Sequence, residues 1–239
     1  MGFFDRPDNY DKMLDRMAII TGILVLVSSA FAIQALSASG ITLPSPKALA
    51  SHELTFLGFK GSFWSLLPSA LAVWIFRRAR MHDRVSDLLK IREAFDTHVI
   101  LSRLAGEVGL PVGLRTLAIF RNKRHDLMYP TFYEYVDAHN PKISKHHVME
   151  ALDAWFGYWI AMEAVLVLIP FAVFFALLDS MLMAVIYLGL SLLCAAVSLN
   201  YFKACAPLAE REIKAMTDHP NWPQWKEAIR EHFDRALQN

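Results

Sequence analysis

The sequence predicts an all-α, polytopic membrane protein with four transmembrane helices and a cytoplasmic helical insert. The 239-residue chain is 55% hydrophobic, while charged residues still make up 20% of it. No charged residue lies between Arg16 and Lys47, and about 20 apolar residues suffice to cross a hydrocarbon core about 30 Å thick. Three further apolar stretches follow. This composition is typical of membrane spans joined to an aqueous portion.

The first apolar pair predicts a transmembrane hairpin over residues 17–76, after an N-terminal tail at residues 1–16. An outward loop at residues 37–60 separates its two spans. The second uncharged stretch reaches only about 24 Å as a helix, so we expect that helix to begin earlier, near Thr55, with Lys60 extending toward the interface. We expect the first span to be an uncleaved anchor, because it is longer than a typical signal-peptide core.

A cytoplasmic helical domain is predicted at residues 77–154. Its first half repeats apolar side chains at three- and four-residue steps, which predicts one long helix running from Phe63 through the membrane to about Ala105. One or two short helices are expected within residues 112–135. Ser144 is a candidate N-cap for a helix that continues directly into the third span.

The last part of the chain predicts a second transmembrane hairpin at residues 155–202, with a tight connection at Asp179. Residues 203–239 form a C-terminal segment in which apolar residues recur every four positions, at Trp225, Ile229, Phe233 and Leu237. This spacing predicts an amphipathic helix. It has three candidate docking surfaces: the cytoplasmic domain, a neighbouring subunit and the lipid surface.

The distribution of basic residues predicts the orientation. Four crossings place both termini on the same side of the membrane. Of the 24 Lys and Arg residues, only Lys47 and Lys60 lie in the loop of the first hairpin, and the connection at Asp179 has none. Because basic residues are retained on the cytoplasmic side, both termini and residues 77–154 are predicted to be cytoplasmic.

Glu163 is the ionisable residue that lies well inside a predicted span. A carboxyl at that depth is costly and usually faces a bundle interior, a water path or a partner. Two interpretations stay open: a pore-lining or proton-linked carboxylate, and a protonated packing residue or one shallow enough to reach headgroup water. Other polar residues of the first span are candidate pore residues, namely Ser28, Ser29 and Gln34, and Thr21 shares a helix face with Ser28.

The insert contains two basic clusters. The first, which begins at Arg77, is typical of a span anchored at an anionic leaflet. The second lies far from any span and has tyrosines nearby, so guanidinium groups and rings there are candidates for binding a phosphorylated ligand. Its candidate binding residues are Arg115, Arg121, Lys123, Arg124, Tyr129 and Tyr133. The alternative is a solvated helix face with aromatic residues in the core.

Catalytic and metal signatures are weak or missing. His146, Glu150 and Asp153 share a helix face, but one helix without a second ligand set predicts no metal site. The sequence contains no phosphate loop, no Gly-x-Ser-x-Gly motif and no dinucleotide fingerprint. We therefore predict no catalytic residue and no cofactor, and we do not expect an enzyme.

In layout the chain resembles the four-span pore-forming effectors of bacterial antiphage defence, with spans at residues 17–36, 61–76, 155–178 and 182–202. The nearest motif is Leu114-Arg115-x5-Arg121-x-Lys123-Arg124, followed by Met128-Tyr129-x-x-Phe132-Tyr133. The resemblance implies a multi-pass protein of the bacterial inner (plasma) membrane. It also implies a pore that responds to a nucleotide or short nucleic acid bound at the insert, with a role in antiviral defence.

The function expected from the sequence is that of a homo-oligomeric inner-membrane channel or pore, gated by a phosphorylated ligand at its basic cytoplasmic domain. Several copies around an axis enclose an aqueous path that one small subunit cannot. Its expected partners are membrane lipid and further copies of itself. Two alternatives remain: a non-conducting accessory subunit that binds a partner protein through the C-terminal helix, and a small-solute transporter or membrane enzyme using Glu163.

Overall fold

The computed structural model describes residues 10–40, 54–56, 59–61 and 63–238, and this part of the chain is predominantly helical. Most of the predicted N-terminal tail and of the predicted outward loop lies outside the described residues. Three described helices are long and apolar enough to cross a membrane: α1 (Tyr10–Ala38), α9 (Lys145–Leu177) and α10 (Met181–Thr217). The prediction of a helical protein with helices long and apolar enough to span a membrane is confirmed at this level.

The start of the second predicted span differs from expectation. Residues Leu54–Phe56 and Phe59–Gly61 form a short antiparallel hairpin, β1 and β2, in which Thr55 pairs with Lys60. Helix α2 begins only at Phe63 and ends at Arg78. The predicted helix start near Thr55 is therefore wrong. Aromatic and β-branched residues favour strand there, and Gly61 disfavours helix.

The predicted continuous helix to Ala105 is also wrong. Helix α2 stops at Arg78, α3 covers Met81–Leu88 and α4 covers Ile91–Phe95. Between them Arg80 and Lys90 adopt left-handed backbone conformations, with φ of 45° and 54°. A right-handed helix cannot continue through such a residue, so the chain changes direction twice within a dozen residues.

The rest of the insert consists of short helical segments, four of them from Leu114 to Val136, where the sequence predicts one or two. A π-helix, Asp96–Leu101, continues from α4 and leads into α5 (Ser102–Glu107). A loop that contains Gly109 at a φ of 82° follows, and the chain then forms four more helical segments. They are α6 (Leu114–Asn122), α7 (Arg124–Met128), a second π-helix (Tyr129–Tyr133) and α8 (Glu134–Val136).

The C-terminal third consists of two long helices and a shorter one. Helix α9 begins directly after Ser144, and a turn with Asp179 at a φ of 54° joins it to α10. The turn and the helix start therefore lie where the sequence predicts them, and the transmembrane hairpin at residues 155–202 stays a prediction. Helix α11 (Trp222–Gln238) is the predicted amphipathic C-terminal helix.

The described chain divides into two compact units. The first comprises residues 10–13, 83–155 and 201–238. Its core is apolar, and Phe120 of α6 and Phe233 of α11, both fully buried, have ring centroids 5.0 Å apart. The apolar face of α11 therefore packs against the short helices, which is the first of the three docking surfaces considered for it.

The second unit comprises Phe156–Asn200 and the described residues between 14 and 82. Phe175 and Tyr187 pack at its centre, with ring centroids 5.0 Å apart. Helices α1 and α2 approach closely at Gly22, whose carbonyl oxygen accepts a hydrogen bond of 2.7 Å from Ser69 Oγ. Large apolar side chains of α10 point outward, among them Leu182, Leu193 and Leu199. An outward apolar face of this kind suits contact with lipid.

Candidate functional site

Glu163 lies inside the second unit, on an otherwise apolar stretch of α9. It is 2% exposed, and its Oε2 atom accepts a hydrogen bond of 2.6 Å from Thr21 Oγ1 of α1. Thr21 is itself 3% exposed. A buried carboxyl needs a hydrogen-bond donor to offset its lost hydration, and Thr21 provides one from another helix. The pair thereby joins two segments that are distant in sequence.

A small cavity lies beside this carboxyl. Glu163, His82 and Arg77 line it on the polar side, and the apolar wall consists of Leu14, Met17, Ala18 and Phe76. The His82 ring packs edge-on against Trp159, with centroids 5.9 Å apart. Arg77 also pairs with Asp15 at 2.8 Å. Two basic side chains thus share a cavity with Glu163.

Buried hydroxyl groups extend the polar interior of this unit. Thr21 and Ser28 are buried seven residues apart on α1, and Ser191 and Ser198 are buried seven residues apart on α10. Seven residues are close to two helical turns, so each pair shares one helix face. Of the other predicted pore residues, Ser29 is buried but Gln34 is exposed. The structure therefore places Ser28 and Ser29 in the bundle and Gln34 on its surface.

A second buried acid, Asp96, lies in the first unit at the start of the π-helix. It is 4% exposed, and its Oδ2 atom lies 3.2 Å from Nη1 of Arg124, which is 7% exposed. Arg124 Nη2 lies 2.9 Å from Nε2 of His125. Burial raises the pKa of the Asp96 carboxyl to about 6, while Arg92 and Arg124 oppose that rise. Asp96 therefore titrates close to neutral pH.

Arg92, whose side chain is 40% exposed, extends this ion-pair network toward the surface. Its guanidinium donates to the Tyr133 hydroxyl at 3.4 Å and to Asp83 Oδ1 at 3.3 Å. Burial raises the pKa of Tyr133, and the charge of Asp96 adds to the rise, against the opposing charge of Arg92. The network ties α3, α4, α7 and both π-helices together, so it stabilises the insert.

The predicted ligand-binding residues do not gather in one place. Arg124 and Tyr133 belong to the buried network, whereas Arg115 and Tyr129 are exposed. Arg121 pairs with Glu93 at 3.1 Å, and Lys123 Nζ donates to the Ala236 carbonyl at 3.1 Å. Arg121, Lys123 and Arg124 of the second cluster thus all have partners within the first unit. Arg115 and Tyr129 are the members most open to solvent.

Comparison with known proteins shows which family the chain belongs to. The model of the YmfE protein family matches residues 9–235, nearly the whole chain. The chain belongs to the YmfE family. A relative in Escherichia coli (strain K12), described as "Uncharacterized protein YmfE", is 26% identical over 179 residues, which cover 72% of each chain. No solved structure shows a significant match. The family description names no activity, so the resemblance to antiphage effectors stays a prediction.

The residues considered above for metal binding, His146, Glu150 and Asp153, lie on α9 of this YmfE family member. His146 Nε2 lies 3.5 Å from Glu150 Oε1, and Arg211 lies 4.0 Å from the other oxygen of Glu150. Within the described ranges, no three His, Cys, Asp or Glu side chains are grouped so as to hold a metal ion. Glu150 thus contacts both His146 and Arg211 within the first unit.

Sequence reasoning missed two features of the YmfE fold. It did not assign Asp96 a partner, although Arg92, Phe95 and Asp96 occupy the inward face implied by the apolar spacing of the insert. Charged residues on the face that packs against a core need partners, so Arg92 and Asp96 on that face were the available signal. It also gave His82 no role, although the structure places that ring on the wall of the Glu163 cavity. No local pattern signals a contact between residues so far apart in sequence.

Proposed function

We propose that this YmfE family member is a homo-oligomeric channel of the bacterial inner membrane that conducts protons or small cations past Glu163. In this proposal α2 is the fourth crossing, and both termini and residues 77–154 are cytoplasmic. One observation carries the proposal: a carboxyl buried among membrane helices, bonded to Thr21 and bordering a cavity with His82 and Arg77. Intramembrane carboxyls of this kind commonly mark ion and proton paths.

The buried hydroxyls support the same interpretation. Thr21, Ser28, Ser191 and Ser198 lie inside the bundle formed by α1 and α10 together with α9. A hydroxyl group both donates and accepts hydrogen bonds, so a row of hydroxyls solvates a passing proton or cation where backbone groups cannot. The outward apolar side chains of α10 supply the lipid or subunit contacts that such a protein needs.

The test is proton flux into liposomes that contain the purified full-length chain. A potassium gradient with valinomycin sets the driving voltage, and an enclosed pH-sensitive dye reports flux. Wild-type protein is expected to conduct, Glu163→Gln to reduce flux at least tenfold, and Thr21→Val to reduce it less because the carboxyl remains. Asp179→Asn is the matched control, since it removes a carboxylate from the exposed turn and Asn tolerates the left-handed backbone.

Flux that is equal in wild type and Glu163→Gln would assign the acid to packing and refute the proposal. Silence of well-folded wild-type protein would favour the accessory-subunit alternative. Light scattering in detergent provides the second readout, because a monomer would contradict the oligomeric part of the proposal.

Regulation by a phosphorylated ligand is the second part of the proposal. Arg115 is exposed and makes no ion pair within the described part of the chain, and Tyr129 is 67% exposed on the same unit. A cation and an aromatic ring open to solvent are the groups that bind a phosphate and a base. We expect a cyclic dinucleotide to change flux in wild type but not in Arg115→Gln with Tyr129→Ala, whose basal flux stays unchanged. An identical response in both proteins would refute ligand control there.

A further inference from the structure

The corner between α3 and α4 exposes two leucines in succession. Leu88 is 80% exposed and Leu89 is 56% exposed. They precede Lys90, whose left-handed backbone turns the chain from α3 into α4. Single exposed apolar residues are ordinary on protein surfaces, but adjacent large ones at a protruding corner indicate a contact surface.

The corner is held in place from inside. Ser86, which is 1% exposed, accepts a hydrogen bond of 3.2 Å on its Oγ from the backbone N–H of Arg92. Asp83 pairs with the Arg92 side chain at 3.3 Å. These two contacts join both ends of the turn. Ser86 and Asp83 therefore face Arg92, while Leu88 and Leu89 are left exposed.

The exposed charged residues of this segment are Arg84, Asp87 and Lys90, so its exposed charge is net positive. Arg84 and Lys90 are exposed and make no ion pair within the described part of the chain. The neighbouring acids are directed elsewhere, since Asp83 pairs with Arg92 and Asp87 lies 4.0 Å from Arg124. Two exposed leucines with exposed cations on both sides are complementary to a surface that has an anionic outer layer over an apolar interior.

The position along the chain favours lipid as the occupant. Helix α3 begins three residues after Arg78, the last residue of α2, and its eight residues extend about 12 Å. The headgroup region on each side of a bilayer is several ångströms deep. If α2 crosses the membrane, Leu88 is therefore tethered within reach of the headgroups.

We propose that the α3–α4 corner rests on the cytoplasmic membrane surface, with Leu88 and Leu89 in the headgroup–acyl boundary and Arg84 and Lys90 bound to phosphates of anionic lipid. Interfacial helices use this combination of apolar insertion and basic attraction. The proposal depends on α2 as a crossing and not on conduction by Glu163. Its failure is therefore distinguishable from failure of the channel proposal.

The experiment attaches the environment-sensitive dye NBD to Leu88→Cys in the full-length chain, reconstituted in phosphatidylcholine vesicles with or without 30% phosphatidylglycerol. Leu114→Cys is the matched control, because Leu114 is 88% exposed but lies on α6, far along the chain from any span. The parent chain, treated in parallel, gives the background from Cys194 and Cys205. A doxyl-labelled lipid is the quencher.

We expect doxyl lipid to quench NBD at position 88 at least twofold more than NBD at position 114, with stronger quenching when phosphatidylglycerol is present. Arg84→Gln with Lys90→Gln should abolish the dependence on phosphatidylglycerol. Equal quenching at both positions would overturn the proposal. A blue-shifted emission at position 88 without lipid quenching would also overturn it, because it would assign the corner to a protein contact.

Discussion

Replacing Arg124 by Gln should destabilise the π-helix Asp96–Leu101 by about 3 kcal/mol at pH 7. The guanidinium is 7% exposed and lies 3.2 Å from the Asp96 carboxylate, so its loss leaves a buried charge without its direct partner. Breaking one side of a buried ion pair costs about 3–5 kcal/mol. The lower end applies here because Arg92 also stabilises the Asp96 charge and because the carboxyl can take up a proton.

The pH dependence distinguishes this explanation from simple loss of packing. Burial raises the pKa of Asp96 from 3.8 to about 6 in the folded chain. A carboxyl that protonates more readily when folded adds stability below its unfolded pKa and loses that contribution as pH rises through 6. Asp96 alone should therefore lower stability by about 1 kcal/mol between pH 5 and pH 7. Arg124→Gln should cost less at pH 5, where Asp96 is already largely protonated.

Amide hydrogen exchange in the full-length protein in detergent measures this local stability. Exchange of the π-helix amides is compared at pH 5 and pH 7 in wild type, Arg124→Gln, Asp96→Asn and the double variant, after correction for intrinsic rates. Asp126→Asn is the control, because Asp126 lies on the same short helix but is exposed. A cost of Arg124→Gln that is the same at both pH values, or a pH slope that persists in Asp96→Asn, would refute the reasoning.

Two further predictions concern packing. Gly22→Ala should destabilise the second unit by about 1–3 kcal/mol, because a Cβ there would collide with Val73 of α2; thermal unfolding in detergent measures it, and an unchanged midpoint would contradict the close approach of α1 and α2. Phe233→Ala should cost about 3–5 kcal/mol, since its ring is fully buried against Phe120. Faster exchange in α6 and α11 is the expected signature, and protection equal to wild type would show that α11 does not complete that core.

The long apolar helices were predictable because each contains an apolar stretch of about 20 residues, the length that a hydrocarbon core requires. The chain from Trp155 to Phe202 has no charged residue apart from Glu163 and Asp179, so hydropathy locates the apolar parts of α9 and α10 and the turn between them, but not the extension of α10 to Thr217. The spacing of apolar residues in the C-terminal segment likewise predicts α11, because a single face must meet a core.

The breaks after α2 and α3 were not predictable. Arg80 and Lys90 belong to residue types that favour helix, and nothing in the local sequence requires a left-handed backbone there. Tertiary contacts decide it: the Ser86 hydroxyl and the Asp83 carboxylate both bind Arg92 across the second break. Local propensity is overruled when a buried polar group must find its partner.

In the candidate sites, too, some residues were predictable from the sequence while their partners were not. The depth of Glu163 in a span singles it out from sequence, whereas its donor, Thr21, lies 142 residues away and is visible only in the fold. Arg124 was predicted as a ligand-binding cation from its basic neighbours. The structure gives it Asp96, whose carboxylate already occupies the geometry a phosphate would need.

The cost of Glu163 argues for a role beyond packing. A glutamine would accept the same hydrogen bond from Thr21 without the burden of a charge, and a leucine would fill similar space without any polar group. Replacing buried charged groups by apolar ones is often neutral or stabilising, so packing alone does not account for an acid here, and we infer that Glu163 serves the proposed proton path. Glu163→Leu should therefore give a chain at least as stable as wild type in detergent that has lost its flux. A less stable Glu163→Leu chain would show that the acid serves the architecture of α1 and α9 instead.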